Sequence, residues 1–303
     1  MNEFTNKKTL SKKEYLEVFG DIAQKIENNI KNIIVVPTRS VKYKNTFGDV
    51  DIVLSRKVSM LELHAAIGFD ISQNNQPVID NNLSMYKGYQ LDFLFADENS
   101  FEFTQDLNSY EIFGYILPKI AGYYDLKVSN KGLSIRISHP LNANLFKDVL
   151  LTSNSQIIFD FLGFDHQLFV SGFYDNEDFY NYLVTSNYYN NELFTKPTKS
   201  SGKLENRITT FIQWKKDMKF MNHCFDLDKR LKQFFDTKVF CLKELDNKYS
   251  ELEIKKILLN DDQNKSSVRE YVKDIAAKLR IDNIDLGRYL SDLLIANQEE
   301  YKC

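Results

Sequence analysis

Cysteine is nearly absent from this chain. Cys224, Cys241 and Cys303 are the only three in 303 residues, and their separations match no metal-ligand spacing. So sparse and odd a set excludes a disulfide framework and a cysteine-built zinc site, and reads as free thiols in a reducing compartment. Long hydrophobic runs are missing as well. No stretch reaches the length of a membrane span, which excludes a spanning helix. The opening Met1-Asn2-Glu3-Phe4-Thr5-Asn6-Lys7-Lys8 lacks the apolar core of a signal peptide. The expected location is the cytoplasm, or a host cytoplasm if the chain is phage or viral. Strong charge of one sign is also lacking. The 39 basic and 42 acidic residues leave a net charge of −3, which excludes a protein that coats nucleic acid nonspecifically but allows a local basic groove. Glycine and proline are few, and there is no internal repeat or long low-complexity tract. Abundant Tyr, Phe, Asn and Lys suit an AT-rich genome, such as that of a bacteriophage, a virus or a low-GC bacterium.

What the chain does have is acid in unusual places. Thr46-Phe47-Gly48-Asp49-Val50-Asp51-Ile52-Val53-Leu54 sets two carboxylates one residue apart at the head of an apolar run. Side chains of an extended strand alternate faces, so Asp49 and Asp51 point the same way and Val50 and Ile52 the other. Two aligned carboxylates repel, a cost that a divalent cation between them would offset. Mg²⁺ prefers hard oxygen ligands of this kind, with Mn²⁺ as a substitute. Gly48 lets backbone and substrate approach closely. A third acid, Asp92, stands alone in Tyr89-Gln90-Leu91-Asp92-Phe93-Leu94-Phe95-Ala96, which reads as a central strand. A lone buried carboxylate is expensive. The economical arrangement sets this strand beside the first, with Asp92 as a third ligand.

This pattern resembles the DNA polymerase β-like nucleotidyltransferase superfamily, in which a Gly-Ser turn, an Asp-x-Asp strand and a later Asp on a neighbouring strand recur. The resemblance covers residues 30–96. It implies an α/β fold with a mixed sheet and packed helices. It also implies transfer of a nucleoside monophosphate from a nucleoside triphosphate to an acceptor hydroxyl. Asp49, Asp51 and Asp92 then match the catalytic, metal-binding acids. The chain departs from the pattern at the turn after Ile33-Ile34-Val35-Val36-Pro37, where Thr38-Arg39 or Arg39-Ser40 stands in place of Gly-Ser. Thr38 or Ser40 would supply the hydroxyl, and Arg39 would grip phosphate through its fork of donors. With Gly48 they make up the expected nucleotide-binding set. The alternative is a degenerate site on a non-catalytic binding protein. The expected acceptor is an RNA 3′ end, tRNA-like; a protein or small-molecule hydroxyl is the alternative. No protein partner is indicated.

Elsewhere the pattern is coarser. Ser11 and Glu14 form a capping-box signature ahead of an apolar stripe, predicting a helix over 11–30. Residues 58–67 read as a short helix holding a partly buried His64. Gly88 marks a turn or bulge between the Asp92 strand and a partner near 83–87. A helix over 108–122 containing Pro118 follows, then a hairpin across Ser129-Asn130-Lys131-Gly132 with Lys127 and Arg136 on its strands. The expected domains are 1–145, nucleotidyltransferase-like, and 146–303, mainly helical, with helices over 204–221, 227–235, 238–259 and 266–298. Tyr188, Tyr189 and Phe194 read as core or crevice wall, with base stacking as the alternative. Residues 196–219 are the most basic stretch, a solvated face or a phosphate path.

Overall fold

The computed structural model describes residues 8–68, 83–124, 126–139, 142–186, 188–194, 202–216 and 243–247. A two-residue strand β1 (Leu10–Ser11) runs into helix α1 (Lys12–Asn29). The capping box forms as expected: the Glu14 amide donates to Ser11 Oγ at 3.3 Å, and the Ser11 amide donates to Glu14 Oε2 at 2.7 Å. The helix buries Tyr15, Ile22, Ala23 and Ile26.

Strands β2 (Val35–Pro37), β3 (Thr46–Phe47) and β4 (Val50–Leu54) precede helix α2 (Met60–Ile67). Gly68 ends α2 in the left-handed conformation, φ 78°. His64 in α2 is fully buried, with Nε2 2.6 Å from Ser84 Oγ. Strands β5 (Leu83–Tyr86) and β6 (Tyr89–Phe95) form a hairpin. Its loop is Lys87-Gly88, with φ of 51° and 86°. Two successive positive φ values are the signature of the turn type that suits strand twist.

These strands build one mixed sheet in the order β2-β4-β6-β5. β2 is antiparallel to β4, β4 parallel to β6, and β5 antiparallel to β6. One face of the sheet is hydrocarbon. Val50, Ile52 and Leu54 of β4 and Leu91 and Phe93 of β6 join α1 and α2 residues in a single buried cluster. Burying one such side chain is worth about 1.5–3 kcal/mol, so this face holds the register. A slip of one residue would turn these five outward and drive Asp51 and Asp92 into the core.

A short 3₁₀ turn, Glu98–Ser100, leads to helix α3 (Phe101–Leu107), and helix α4 (Phe113–Tyr123) follows. The sequence predicted one helix over 108–122. The structure breaks it, because Tyr110 and Glu111 take φ of 53° and 60°. Pro118 lies inside α4. Strands β7 (Leu126–Ser129), β8 (Gly132–His139) and β9 (Asn142–Thr152) follow, with the expected hairpin between β7 and β8. Next come α5 (Ser155–Phe161), α6 (His166–Ser171), α7 (Asn176–Leu183), a 3₁₀ turn at Asn191–Phe194, α8 (Gly202–Lys215) and β10 (Lys243–Asn247). Around Tyr110 and Phe113, the rings of Phe159, Phe169, Phe173 and Phe179 pack at centroid distances of 4.6–5.4 Å.

The chain divides into two compact units. One comprises Met1–Ile120, Ser129–Gly132 and Ser153–Asn222; the other comprises Ala121–Val128, Leu133–Thr152 and His223–Cys303. Residue 145, where the sequence set its boundary, falls within β9. The second unit holds an antiparallel sheet in the order β10-β9-β8-β7. β10 corrects the helix expected over 238–259: Lys243 and Glu244 pair with Leu150 and Val149 of β9. Edge pairing outweighs local helix propensity there. The helices expected over 227–235 and 266–298 lie outside the described residues. No helix among the described residues is long and apolar enough to cross a membrane.

Candidate functional site

The parallel pairing of β4 with β6 sets Asp51 directly beside Asp92. Both are half-buried, while their strand neighbours Val50, Ile52, Leu91 and Phe93 are buried on the other face. Asp49 lies just before β4 and lines the same cleft as Asp51. The three carboxylates feel one another. Burial first, then the charges of Asp49 and Asp92, push the Asp51 pKa up from 3.8 to about 7; the Lys44 ammonium and a hydrogen bond from Thr38 act in the opposite sense. Gln90, two residues before Asp92 on the same face, donates from Nε2 to both Asp92 oxygens at 2.8 and 3.1 Å. That contact fixes the carboxylate's orientation.

The cleft has a volume of about 250 Å³. Its walls include Thr38, Arg39, Ser40 and Gly48, the residues expected to meet a nucleotide. Thr38 Oγ1 donates to Asp51 Oδ2 at 3.4 Å. Tyr15 forms another wall, stacked on Phe47 with ring centroids 4.2 Å apart. Burial, together with the Asp51 and Asp49 charges, raises the Tyr15 pKa, so its phenol stays protonated. Hard oxygen donors on and beside two adjacent strands, with one carboxyl pushed toward neutrality by burial and then by the other two, fit a site for Mg²⁺ or Mn²⁺.

Arg39 has a partner the sequence did not reveal. Its Nη1 is ion-paired with Oδ1 of Asp106, which is fully buried. The other Asp106 oxygen accepts from Ser155 Oγ and lies 2.7 Å from His166 Nε2. The Arg39 amide donates to Ser109 Oγ at 2.9 Å, and the Arg39 carbonyl accepts from the Tyr110 amide at 2.8 Å. The turn where Gly-Ser was expected is therefore pinned from the 106–110 segment. Glu102, Asp106 and His166 place ligand atoms within 4.8 Å of one another. A carboxylate already taken up by Arg39, Ser155 and His166 is a poor cation ligand, and the geometry there is that of a buried ion-pair network.

No family model matches the chain, and no curated protein matches it. The residues themselves therefore carry the reading of the site.

A second cleft, of about 320 Å³, adjoins the first and shares Ser40, Lys44, Thr46, Glu111 and Arg207 with it. Arg207 belongs to the basic 196–219 stretch, while Glu111 carries no local signal in the sequence; folding brings them to Lys44 from 163 and 67 positions away. Tyr43 lines this cleft and is 61% exposed; its ring lies 5.0 Å from that of Tyr174, itself 58% exposed. Tyr188, Tyr189 and Phe194 are buried, in line with the core reading and against base stacking. Of the basic stretch, Lys215 is also buried, and residues 195–201 and 217–219 lie outside the described residues. Lys127 is spent on an ion pair with buried Asp148 at 2.5 Å.

Proposed function

We propose that the protein is a metal-dependent nucleotidyltransferase. The observation that carries this reading is the register of Asp51 against Asp92 on parallel neighbours, with Asp49 on the same cleft. Asp49, Asp51 and Asp92 would hold Mg²⁺, or Mn²⁺ in its place, which when bound offsets triphosphate charge and favours the ionised acceptor hydroxyl. Thr38, Ser40 and the Gly48 backbone flank the space for the phosphates. Asp92, held in orientation by Gln90, takes the proton of the acceptor hydroxyl. The hydroxyl oxygen bonds to the α-phosphorus as the α–β phosphoanhydride bond breaks, and pyrophosphate leaves.

The acceptor we infer is an RNA end. Exposed Tyr43 and Tyr174 beside the cleft offer π faces for unpaired bases. Asp92→Ala is expected to abolish transfer of label from an α-labelled triphosphate to RNA, with the melting temperature and triphosphate binding largely kept. Unchanged turnover would reject the role given to Asp92.

One observation favours a second reading, a nucleotide-binding protein without turnover. Arg39 is engaged by Asp106, and the Gly-Ser pair is absent. Metal-dependent triphosphate binding with no label in RNA, protein or small molecules would select it.

A further inference from the structure

At the wall shared by the two clefts stands a carboxylate gripped by two cations. Glu111 Oε1 accepts from Lys44 Nζ at 2.7 Å, and Glu111 Oε2 is ion-paired with Arg207 Nε at 2.7 Å. All three residues line both clefts. None is buried: their side chains are 24%, 28% and 41% exposed for Lys44, Glu111 and Arg207. Ion pairs open to water are individually weak, so these can be exchanged for a stronger anion at little cost.

The backbone goes to some length to put Glu111 there. Tyr110 and Glu111 both hold left-handed φ, which costs a non-glycine residue conformational energy. Tyr110 is locked in place. Its amide donates to the Arg39 carbonyl at 2.8 Å, its hydroxyl donates to the Phe169 carbonyl at 3.0 Å, and its ring packs edge-on against Phe169 and Phe173. The strained turn then delivers Glu111 between the two cations. Lys44 also reaches the acids, since its charge acts on Asp51.

We propose that Lys44 and Arg207 form a polyphosphate subsite beside Asp49 and Asp51, and that Glu111 is its resident counter-ion, displaced when phosphate arrives. An ammonium and a guanidinium together suit phosphate oxygens, and Arg207 adds directional donors. Glu111 neutralises only one of the two cations, and its displacement turns both toward a multiply charged ligand, against the nearby Asp49, Asp51 and Asp175 carboxylates. Glu111 then screens out weakly charged anions, which cannot outcompete a tethered carboxylate. The identity of the ligand as a nucleotide's triphosphate rests on the nucleotidyl-transfer reading; the anion subsite does not.

The test is calorimetric titration of the full chain with inorganic tripolyphosphate at low ionic strength, with chelator present to exclude metal. Glu111→Gln removes the competing charge and keeps the shape. It is expected to bind tripolyphosphate about tenfold tighter than wild type. Arg207→Gln, at a half-buried position of α8 that lines both clefts, is expected to bind about tenfold more weakly. Equal or weaker binding by Glu111→Gln, with its melting temperature unchanged, would overturn the counter-ion role. Unaltered binding by Arg207→Gln would overturn the subsite. Metal-dependent label transfer is measured on the same proteins. No transfer by wild type together with the expected tripolyphosphate series rejects the enzyme and keeps the subsite; normal transfer with a flat series rejects the subsite alone.

Discussion

Asp51 is the residue under most stress. Burial, then the charges of Asp49 and Asp92, oppose ionisation of its carboxyl and push the pKa up from the ordinary 3.8 to about 7. Between those pH values the native state keeps a proton that the unfolded state has released. Stability without metal therefore falls as pH rises from about 4 to about 7, and stays low above that. Asp51→Asn removes this penalty. It is expected to stabilise the metal-free protein by on the order of 2–4 kcal/mol at pH 8 and by much less at pH 4, read from urea unfolding at both pH values. Equal effects at the two pH values would mean that neither burial nor the neighbouring acids raise the Asp51 pKa. Arg39 shows the opposite balance. Arg39→Ala leaves buried Asp106 without its cation and is expected to cost about 3 kcal/mol in the same assay. A phosphate-gripping arginine would instead show as lost triphosphate affinity with stability intact. The acids were legible in the sequence because a carboxylate inside an apolar strand is locally anomalous. The Arg39 partner was not, since Asp106, Ser155 and His166 look like ordinary polar residues until the chain folds.

Elements were legible where their signals are local. The capping box placed the start of α1, and the apolar stripe gave its buried face. Ser11→Ala should lower stability by about 1 kcal/mol in thermal unfolding, the usual worth of such a cap. No change would mean that the cap is frayed in solution. Gly88, read as a turn or bulge, marked the place of the β5–β6 turn in the same way. The segment 108–112 misled because Tyr110, Ile112, Phe113 and Ile116 continue a helical spacing. The structure uses Ser109 and Tyr110 to hold Arg39 and to seat a ring among phenylalanines, and those contacts break the helix. β10 misled for a different reason: a polar Lys-Glu-Leu-Asp-Asn stretch carries little strand signal, and its conformation comes from hydrogen bonds to β9.

At the scale of the whole molecule, the two units interleave along the chain, with residues 121–128, 133–152 and those from 223 onward sharing one of them. A reading that looks for one boundary between consecutive blocks cannot find that division. The mixed sheet and its acids were recoverable because they lie within residues 35–95. The meeting of Lys44, Glu111 and Arg207 in one cleft wall was not, because they come from three distant segments of the unit that also holds the sheet. Function depends first on whether the sheet's polar face binds a divalent cation. The direct measurement is Mn²⁺ binding by electron paramagnetic resonance, with a non-hydrolysable triphosphate present, comparing wild type with Asp51→Asn. Wild type is expected to hold about two Mn²⁺ per chain, and the variant to lose at least one of them. Identical binding by both proteins, or none by wild type, would contradict a metal site built on Asp49, Asp51 and Asp92.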